Sequence, residues 1–520
     1  MKQPPTVIAS SDQTSRGSGR FVSVVLGLAL VSCIGLMLPF VFGGPVVLDE
    51  YGTYWIAGDG PLSLWERSLN YENIPPLAPA VNRLFFQVYG ESEFVFRLPS
   101  ALCYVISVVL IWRLGREIRD AEFGALLALV LAWHPVLLDE VRIARCYGLT
   151  LLLSIVVLHS TLMWLRSTES IRLPILWAIS CSLLLWTHYL NAILVVATAL
   201  LLAWYLFKDS FRGKYCLLGA WIFVAGTALP LWPSLVRMSV WGEYFGFQTE
   251  SRLTETVSSL WWAGLPTAFL LSFLFARGNR VDPVSRTRQK RVRVVLFVCG
   301  VLPILGAAIF CRGDFASLAN PRYRTCIEAS GVCVWVLLAT RGRSSVHSLA
   351  IVCAGLVAAW GCSGHVPWQP RRVNTVQSFQ WKEVALYIQA NGTAGQPIFV
   401  QSGLGEAALL REFFDDSVLQ DYAACRLGRF YLKAEHPRIG LPFVWNLNAK
   451  MNQWYRDRLS EIAESPAGSF WLAVATDTDV NQSSGQYFED MAKSAGFTAL
   501  ETLQFSKTKL IQFRFGNQKL

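Results

Sequence analysis

The chain has 520 residues, of which 53% are hydrophobic and only 16% charged, and its mean hydropathy is +0.38. A soluble protein of this length needs more charge than that to cover its surface, so a soluble globular enzyme is excluded. The net charge of +10 lies mostly in loops between apolar runs, where it reads as membrane topology rather than as a nucleic-acid footprint.

The apolar residues fall in runs of roughly 17–22, the length that crosses a hydrocarbon core about 30 Å thick. Spans are expected near 21–42, 95–113, 123–138, 147–165, 172–187, 190–207, 215–234, 256–276, 293–311, 326–340 and 346–362, about eleven in all. Arg16 and Arg20 precede the first run as in a signal peptide, but no small-residue cleavage site follows Phe42 and the run is long, so it reads as a retained helix. With the N-terminus in the cytoplasm, alternate loops carry Arg113, Arg116 and Arg119; Arg166 and Arg172; and Lys208, Arg212 and Lys214. The most basic loop runs from Arg277 to Arg293, and Arg341 and Arg343 close the series. The opposite loops are poorer in basic residues, and an odd number of spans puts residues 363–520 outside the cytoplasm. The expected layout is a cytoplasmic tail 1–20, a membrane domain 21–362 with a first outer loop 43–94, and an extracytoplasmic domain 363–520.

Four clusters fall on the outer side of that layout, where an ionisable group at a membrane helix end needs a partner or a task. The first is Asp49-Glu50, just beyond the first span. Adjacent carboxylates there either deprotonate an acceptor hydroxyl or cap a helix N-terminus. The second comprises Asn73-Ile74-Pro75-Pro76-Leu77 and then Phe96-Arg97-Leu98-Pro99-Ser100; it reads as architectural, with Pro99 near a helix start. In the third, Asp139 to Tyr147, Arg142 and Arg145 are three apart, so a helix would carry them on one face, paired internally or forming a phosphate clamp. His188-Tyr189 adds donors on the same side. The fourth is Pro321-Arg322-Tyr323-Arg324, suited to anchor at the interface or to hold an anionic headgroup.

The tail changes character. Pro397–Gln401 and Phe470–Ala475 read as buried strands, Leu500–Phe515 as a strand pair turning near Lys507, and Gln380–Ala390 as an amphipathic helix, together a small α/β domain. Asp477, Asp479 and Asn481 imitate the start of a calcium loop, but Gln482 and Phe488 stand where Gly and Glu are required, so a polar turn is expected. Asn391-Gly-Thr393 and Asn481-Gln-Ser483 match the glycosylation sequon, as short polar loops often do. The cysteines lie largely within apolar runs and contain no CxxC pair, so neither a zinc site nor a redox site is indicated. Asp49-Glu50 alone supplies too few ligands for a divalent cation.

Carboxylates, arginines and tyrosines gathered at one membrane face suit a site acting on a lipid-linked phosphate. The ordered segments resemble the GT-C type glycosyltransferases that use polyprenyl-phosphate sugars, in the branch of protein O-mannosyltransferases and lipid A aminoarabinose transferase. The resemblance rests on Asp49-Glu50, Pro75-Pro76-Leu77, Phe96–Ala101, Ala144-Arg145-Cys146-Tyr147-Gly148-Leu149, His188-Tyr189 and Pro321-Arg322-Tyr323. It implies a polytopic α-helical membrane protein of GT-C type with a small C-terminal extracytoplasmic α/β domain. It also implies transfer of a sugar from a polyprenyl-phosphate donor to a lipid, glycan or protein acceptor at the outer face of the inner (plasma) membrane. Carried over, Asp49 is the base with Glu50 supporting it, and Arg145, Arg322 and Tyr323 neutralise the departing phosphate. Arg142, Tyr147, His188 and Tyr189 complete the donor site. Two departures stand out. A basic residue commonly precedes Pro-Pro in the family, and Ile74 occupies that place; Arg142-Ile143 replaces the family's Gln-Glu, which makes Arg142 the candidate for the missing cation. The competing reading is a lipid-linked-glycan transporter or a catalytically silent glycan-binding membrane protein. A transporter should show an internal repeat and charges at mid-helix; neither is evident, and a silent protein would be expected to lack Asp49.

Overall fold

The structure is a computed structural model, described for residues 11–60, 62–209, 211–242, 291–303, 321–340, 343–363, 380–402, 411–432, 436–444, 448–476 and 478–516. The expected span at 256–276, most of the basic loop 277–293, and Asp477 lie outside these residues. The described residues form two compact units: one of 11–43, 97–232 and 291–363, the other of 44–96, 233–242 and 380–516.

The first unit is helical. Among the described residues five helices are long and apolar enough to cross a membrane: Gly19–Val41, Glu93–Ile118 (whose first residues belong to the second unit), Tyr147–Arg166, Tyr189–Phe207 and Gly213–Met238 (whose last residues belong to the second unit). A sixth is obtained if Ala121–Ala132 and Pro135–Val141, bent by 59° at their junction, count as one span. Arg172–Leu185 and Ser345–Gly361 are shorter apolar helices, and Thr325–Ala339 is a further, largely buried one. The chain is thus a multi-pass membrane protein by helix length and composition. The 59° bend has a local cause. His134 adopts an extended backbone and caps the next helix, its Nδ1 accepting from the Leu137 amide at 3.2 Å, while Pro135 opens that helix at its first position.

Pro99 does not open its helix as the sequence reading expected. The helix begins at Glu93, where Ser92 accepts the Val95 amide at 3.2 Å, and it runs on through the proline. Arg97, five per cent exposed, reaches back to the carbonyls of Phe40 (3.1 Å) and Gly43 (2.9 Å), satisfying the end of the first helix. Gly148 allows a close approach to a neighbouring helix: a Cβ there would stand 2.7 Å from the Ser100 carbonyl oxygen and 3.0 Å from its Cα.

The second unit contains a five-stranded sheet in the order β2-β1-β3-β5-β4, formed by β1 (Ile398–Gln401), β2 (Arg438–Gly440), β3 (Ser469–Ala475), β4 (Phe497–Phe505) and β5 (Thr508–Phe515). β1 pairs in parallel with β2 and β3, while β5 runs antiparallel to both β3 and β4. Central β3 is buried at every position, which explains its unbroken apolar run; edge β4 alternates because only one face is covered. The hairpin turns at Ser506, whose φ is +45°. Phe399, Trp454, Phe470, Phe488 and Phe513 form the core between this sheet and the helices Ala449–Glu464 and Asp479–Ser494. The polar turn expected around Asp479 is instead the start of the latter helix, capped by Thr478, whose Oγ1 accepts the Asn481 amide at 3.2 Å. Asn481 is therefore buried, while Asn391 of the other sequon is exposed.

Candidate active site

In the first unit, three separated motifs contribute to one cluster. The Pro135–Val141 helix stops before Arg142, and residues 142–146 form a turn that leads into the helix starting at Tyr147. The expected shared face for Arg142 and Arg145 is therefore absent, and the two guanidinium groups take different surroundings. Arg145, half-buried, is directed to the region of His188, which is also influenced by Arg322. The His188 and Tyr323 rings lie 5.4 Å apart, and Arg322 stacks on Tyr323 at 4.7 Å. Tyr147, buried, is within electrostatic range of both Arg145 and Arg322, and Tyr189 is half-buried beside His188 in the chain.

His188 opens a short 3-10 turn, and its Nδ1 accepts the Leu190 amide at 3.2 Å, which leaves Nε2 to carry the proton. Burial first, then the charges of Arg145 and Arg322, pull its imidazole down to about 4. It is a neutral donor at ordinary pH, and the positive charge in the cluster comes from the arginines.

Arg142 lies elsewhere. It is three per cent exposed, donates from Nη2 to the Leu36 carbonyl at 2.9 Å, sits 3.9 Å over the Phe40 ring, and has Asp139 at 3.8 Å. These contacts tie the end of the Pro135–Val141 helix to the first membrane helix.

The second unit carries the acidic pair, in the first turn of the helix Leu48–Ala57. Their environments differ. Glu50 is fully buried and accepts the Val47 amide at 2.9 Å, the back-reaching half of a capping box. Asp49 is half-exposed. The structure thus realises the capping reading for Glu50, and Asp49 is the more exposed of the two carboxylates.

Two neighbours of this helix escaped the sequence reading as functional candidates. Arg67–Glu72 forms a π-helical turn, a rare conformation frequently found at functional sites. It sets the Glu72 carboxylate against the helix at Gly52, where a Cβ would stand 2.7 Å from Oε1. The next residue, Asn73, is buried with φ +53°, and neither polar atom of its side chain has a hydrogen-bond partner among the described residues. Buried polar groups in left-handed backbone are costly and collect at binding sites. Asn73 directly precedes Ile74, where the resemblance leads to the expectation of a basic residue; the signal in the sequence was the turn-favouring Asn before Ile-Pro-Pro. In the first unit the buried pair His134–Glu328, 3.6 Å apart, was likewise not anticipated. Among the described residues no group of three or more His, Cys, Asp or Glu is placed to hold a metal ion.

This architecture is similar in fold to several solved structures. It matches ArnT from Cupriavidus metallidurans in the apo state with a TM-score of 0.50 and 14% identity, over 96% of this chain and 98% of that one. The same protein bound to undecaprenyl phosphate gives a TM-score of 0.50 and 15% identity, over 94% and 97%. The mycobacterial arabinofuranosyltransferase AftD gives 0.51 and 13%, over 96% of this chain and 42% of that one. Residues 73–233 match the family model described as dolichyl-phosphate-mannose-protein mannosyltransferase, in agreement with the resemblance read from the motifs. A search of curated protein sequences finds no significant match.

Proposed function

We propose that the protein is an integral membrane glycosyltransferase that moves a sugar from a polyprenyl-phosphate donor to an acceptor at the extracytoplasmic face, with its N-terminus in the cytoplasm. The observation that carries this reading is the convergence of Arg145, His188, Arg322 and Tyr323 into one cluster rich in positive charge. Bond cleavage at the donor leaves negative charge on the lipid phosphate, and preorganised guanidinium groups at that point favour the transition state over the ground state. Tyr147, His188 and Tyr189 add neutral donors. Arg142 supports the group by fixing the turn that leads to Arg145.

Asp49 accepts the proton of the attacking hydroxyl, and Glu50 holds the helix that presents it. The match to ArnT, which binds undecaprenyl phosphate, and to a mannosyltransferase family supports a lipid-phosphate donor. The test is sugar transfer by the purified chain in lipid, using a panel of polyprenyl-phosphate sugars and acceptors from a host membrane extract. Wild-type transfer should fall by about 10²–10⁴ in Asp49→Asn, the range for loss of a general base. Equal release of polyprenyl phosphate by both proteins would refute the assignment of Asp49. No release by either, from a panel that includes the host's own donors, would refute the enzyme.

A further inference from the structure

At the far end of the Leu48–Ala57 helix, within the second unit, an open cleft is lined by Trp55, Asp59, Arg67, Asp421, Arg429 and Arg438 among others. Its charges are unequally paired. Both oxygens of Asp421 are engaged, one by Arg438 Nη2 at 2.5 Å and the other by Trp55 Nε1 at 2.8 Å. Asp59, largely exposed, pairs with Arg83 at 3.5 Å from outside the cleft. Among the described residues neither Arg67 nor Arg429 forms a salt bridge, although the carboxylates of Asp59 and Asp421 lie within electrostatic range of Arg67. Arg67 is one per cent exposed and donates to the carbonyls of Trp55 and Gly58, the latter at 2.6 Å, yet its Nε has no partner among the described residues. Arg429 makes one long contact, 3.4 Å, to the Asp59 carbonyl. Holding a guanidinium buried is costly when the nearby carboxylates, Asp59 and Asp421, are already paired with Arg83 and Arg438, and an anion drawn into the cleft would relieve that cost.

Burial and the nearby charge of Arg83 bring Arg67 down to about 10, which leaves it protonated at neutral pH. The rim adds groups suited to sugar hydroxyls: the exposed Asp59 carboxylate as acceptor and the guanidinium edges as donors. Trp55 lies six residues beyond Asp49, about 9 Å along the same helix. A saccharide anchored in the cleft would therefore span toward Asp49 with only a few sugar units.

We propose that this cleft binds an anionic group, phosphate or carboxylate, on the acceptor saccharide, and so sets which glycan is presented to Asp49. The proposal rests on the glycosyltransferase reading, but its test needs no turnover. Full-length protein in nanodiscs is titrated with glucose 6-phosphate, glucuronate, glucose and inorganic phosphate, and binding is followed by calorimetry. Glucose 6-phosphate and glucuronate should bind saturably, with glucose and inorganic phosphate each at least tenfold weaker; the two anionic sugars together show whether phosphate or carboxylate is preferred. Arg429→Gln, at a half-buried position with one weak contact, should weaken the anionic sugar at least fivefold and leave glucose unchanged; Arg67→Lys should do the same if it folds. Equal binding of glucose, equal binding of inorganic phosphate, no saturable binding, or wild-type affinity in Arg429→Gln would each overturn the proposal. Donor hydrolysis by the same preparation reports separately on the glycosyltransferase reading.

Discussion

The two acidic residues of the second unit and the arginines of the first pose the same problem, charge held in a largely apolar chain, and meet it differently. Asp49 and Glu50 are neighbours in sequence, and one helix start separates their tasks: Glu50 turns inward to cap, Asp49 stays half-exposed. Arg145 and Arg322 are far apart in sequence, and tertiary packing brings both to His188. Local backbone geometry therefore decides the acidic side, whereas the cationic side depends on helices meeting. Substitutions should accordingly act sharply and individually on the former, and jointly on the latter.

The largest effect that sharpens this contrast is expected at Arg145 and Arg322. Each change to Ala should lower transfer by about 10²–10³, the scale seen when one preorganised donor to a developing oxyanion is removed. If they serve one phosphate, the double variant should lose much less than the product of the two single losses. Each change to Lys should recover part of the rate, since charge is kept and only the planar fork is lost. Strict multiplicativity in the double variant would mean that the two arginines serve separate steps, and the cluster would no longer explain the donor site.

Arg142 gives the next test, and it separates the sequence reading from the structural one. As a substitute for the cation missing at Ile74, Arg142 would control turnover. Its guanidinium instead lies between the Leu36 carbonyl, Phe40 and Asp139. Arg142→Ala should chiefly lower thermal stability, by about 3–5 kcal/mol if removal strands the neighbouring polar groups, while kcat in protein that remains folded falls less than tenfold. A large loss of kcat with unchanged melting would return Arg142 to the donor site.

The same residues show what the sequence made legible. Composition and run length were enough for a multi-pass membrane protein, because hydrocarbon thickness sets helix length whatever the packing. The α/β tail was legible because a strand buried on both faces, such as β3, must be apolar throughout. The Arg-Tyr and His-Tyr motifs pointed to the residues that gather, since each is short and local. What stayed hidden depends on where helices stop and meet. The three-residue spacing of Arg142 and Arg145 implied a shared face only if the helix continued, and it ends at Val141. Pairing of His134 with Glu328 joins residues almost two hundred positions apart, and no periodicity reports that. Gly148 follows from a backbone approach to Ser100 that only coordinates reveal.

The smallest expected effect concerns His188, and it bears on what kind of electrostatics the cluster uses. Ring nitrogens beside a phosphate suggest an imidazolium, but burial and two neighbouring guanidinium groups hold this one near 4, below its ordinary 6.5. At working pH the ring is a neutral donor, with Nδ1 taken by the Leu190 amide. The pH profile of kcat/KM, which reports the free enzyme, should then have no limb near 6.5 that vanishes in His188→Gln. Stability carries the complementary sign. A base whose folded value lies below its unfolded value takes up protons more readily when unfolded, so its stabilising contribution is full above about pH 6.5 and is lost as pH falls toward 4. Thermal melting between those pH values should therefore slope more steeply in wild type than in His188→Gln. If instead the kcat/KM limb near 6.5 appears in wild type and disappears in the variant, the imidazole is charged in the free enzyme. The cluster would then neutralise phosphate with three cations rather than two, and the distinction drawn between arginine charge and neutral donors would fail.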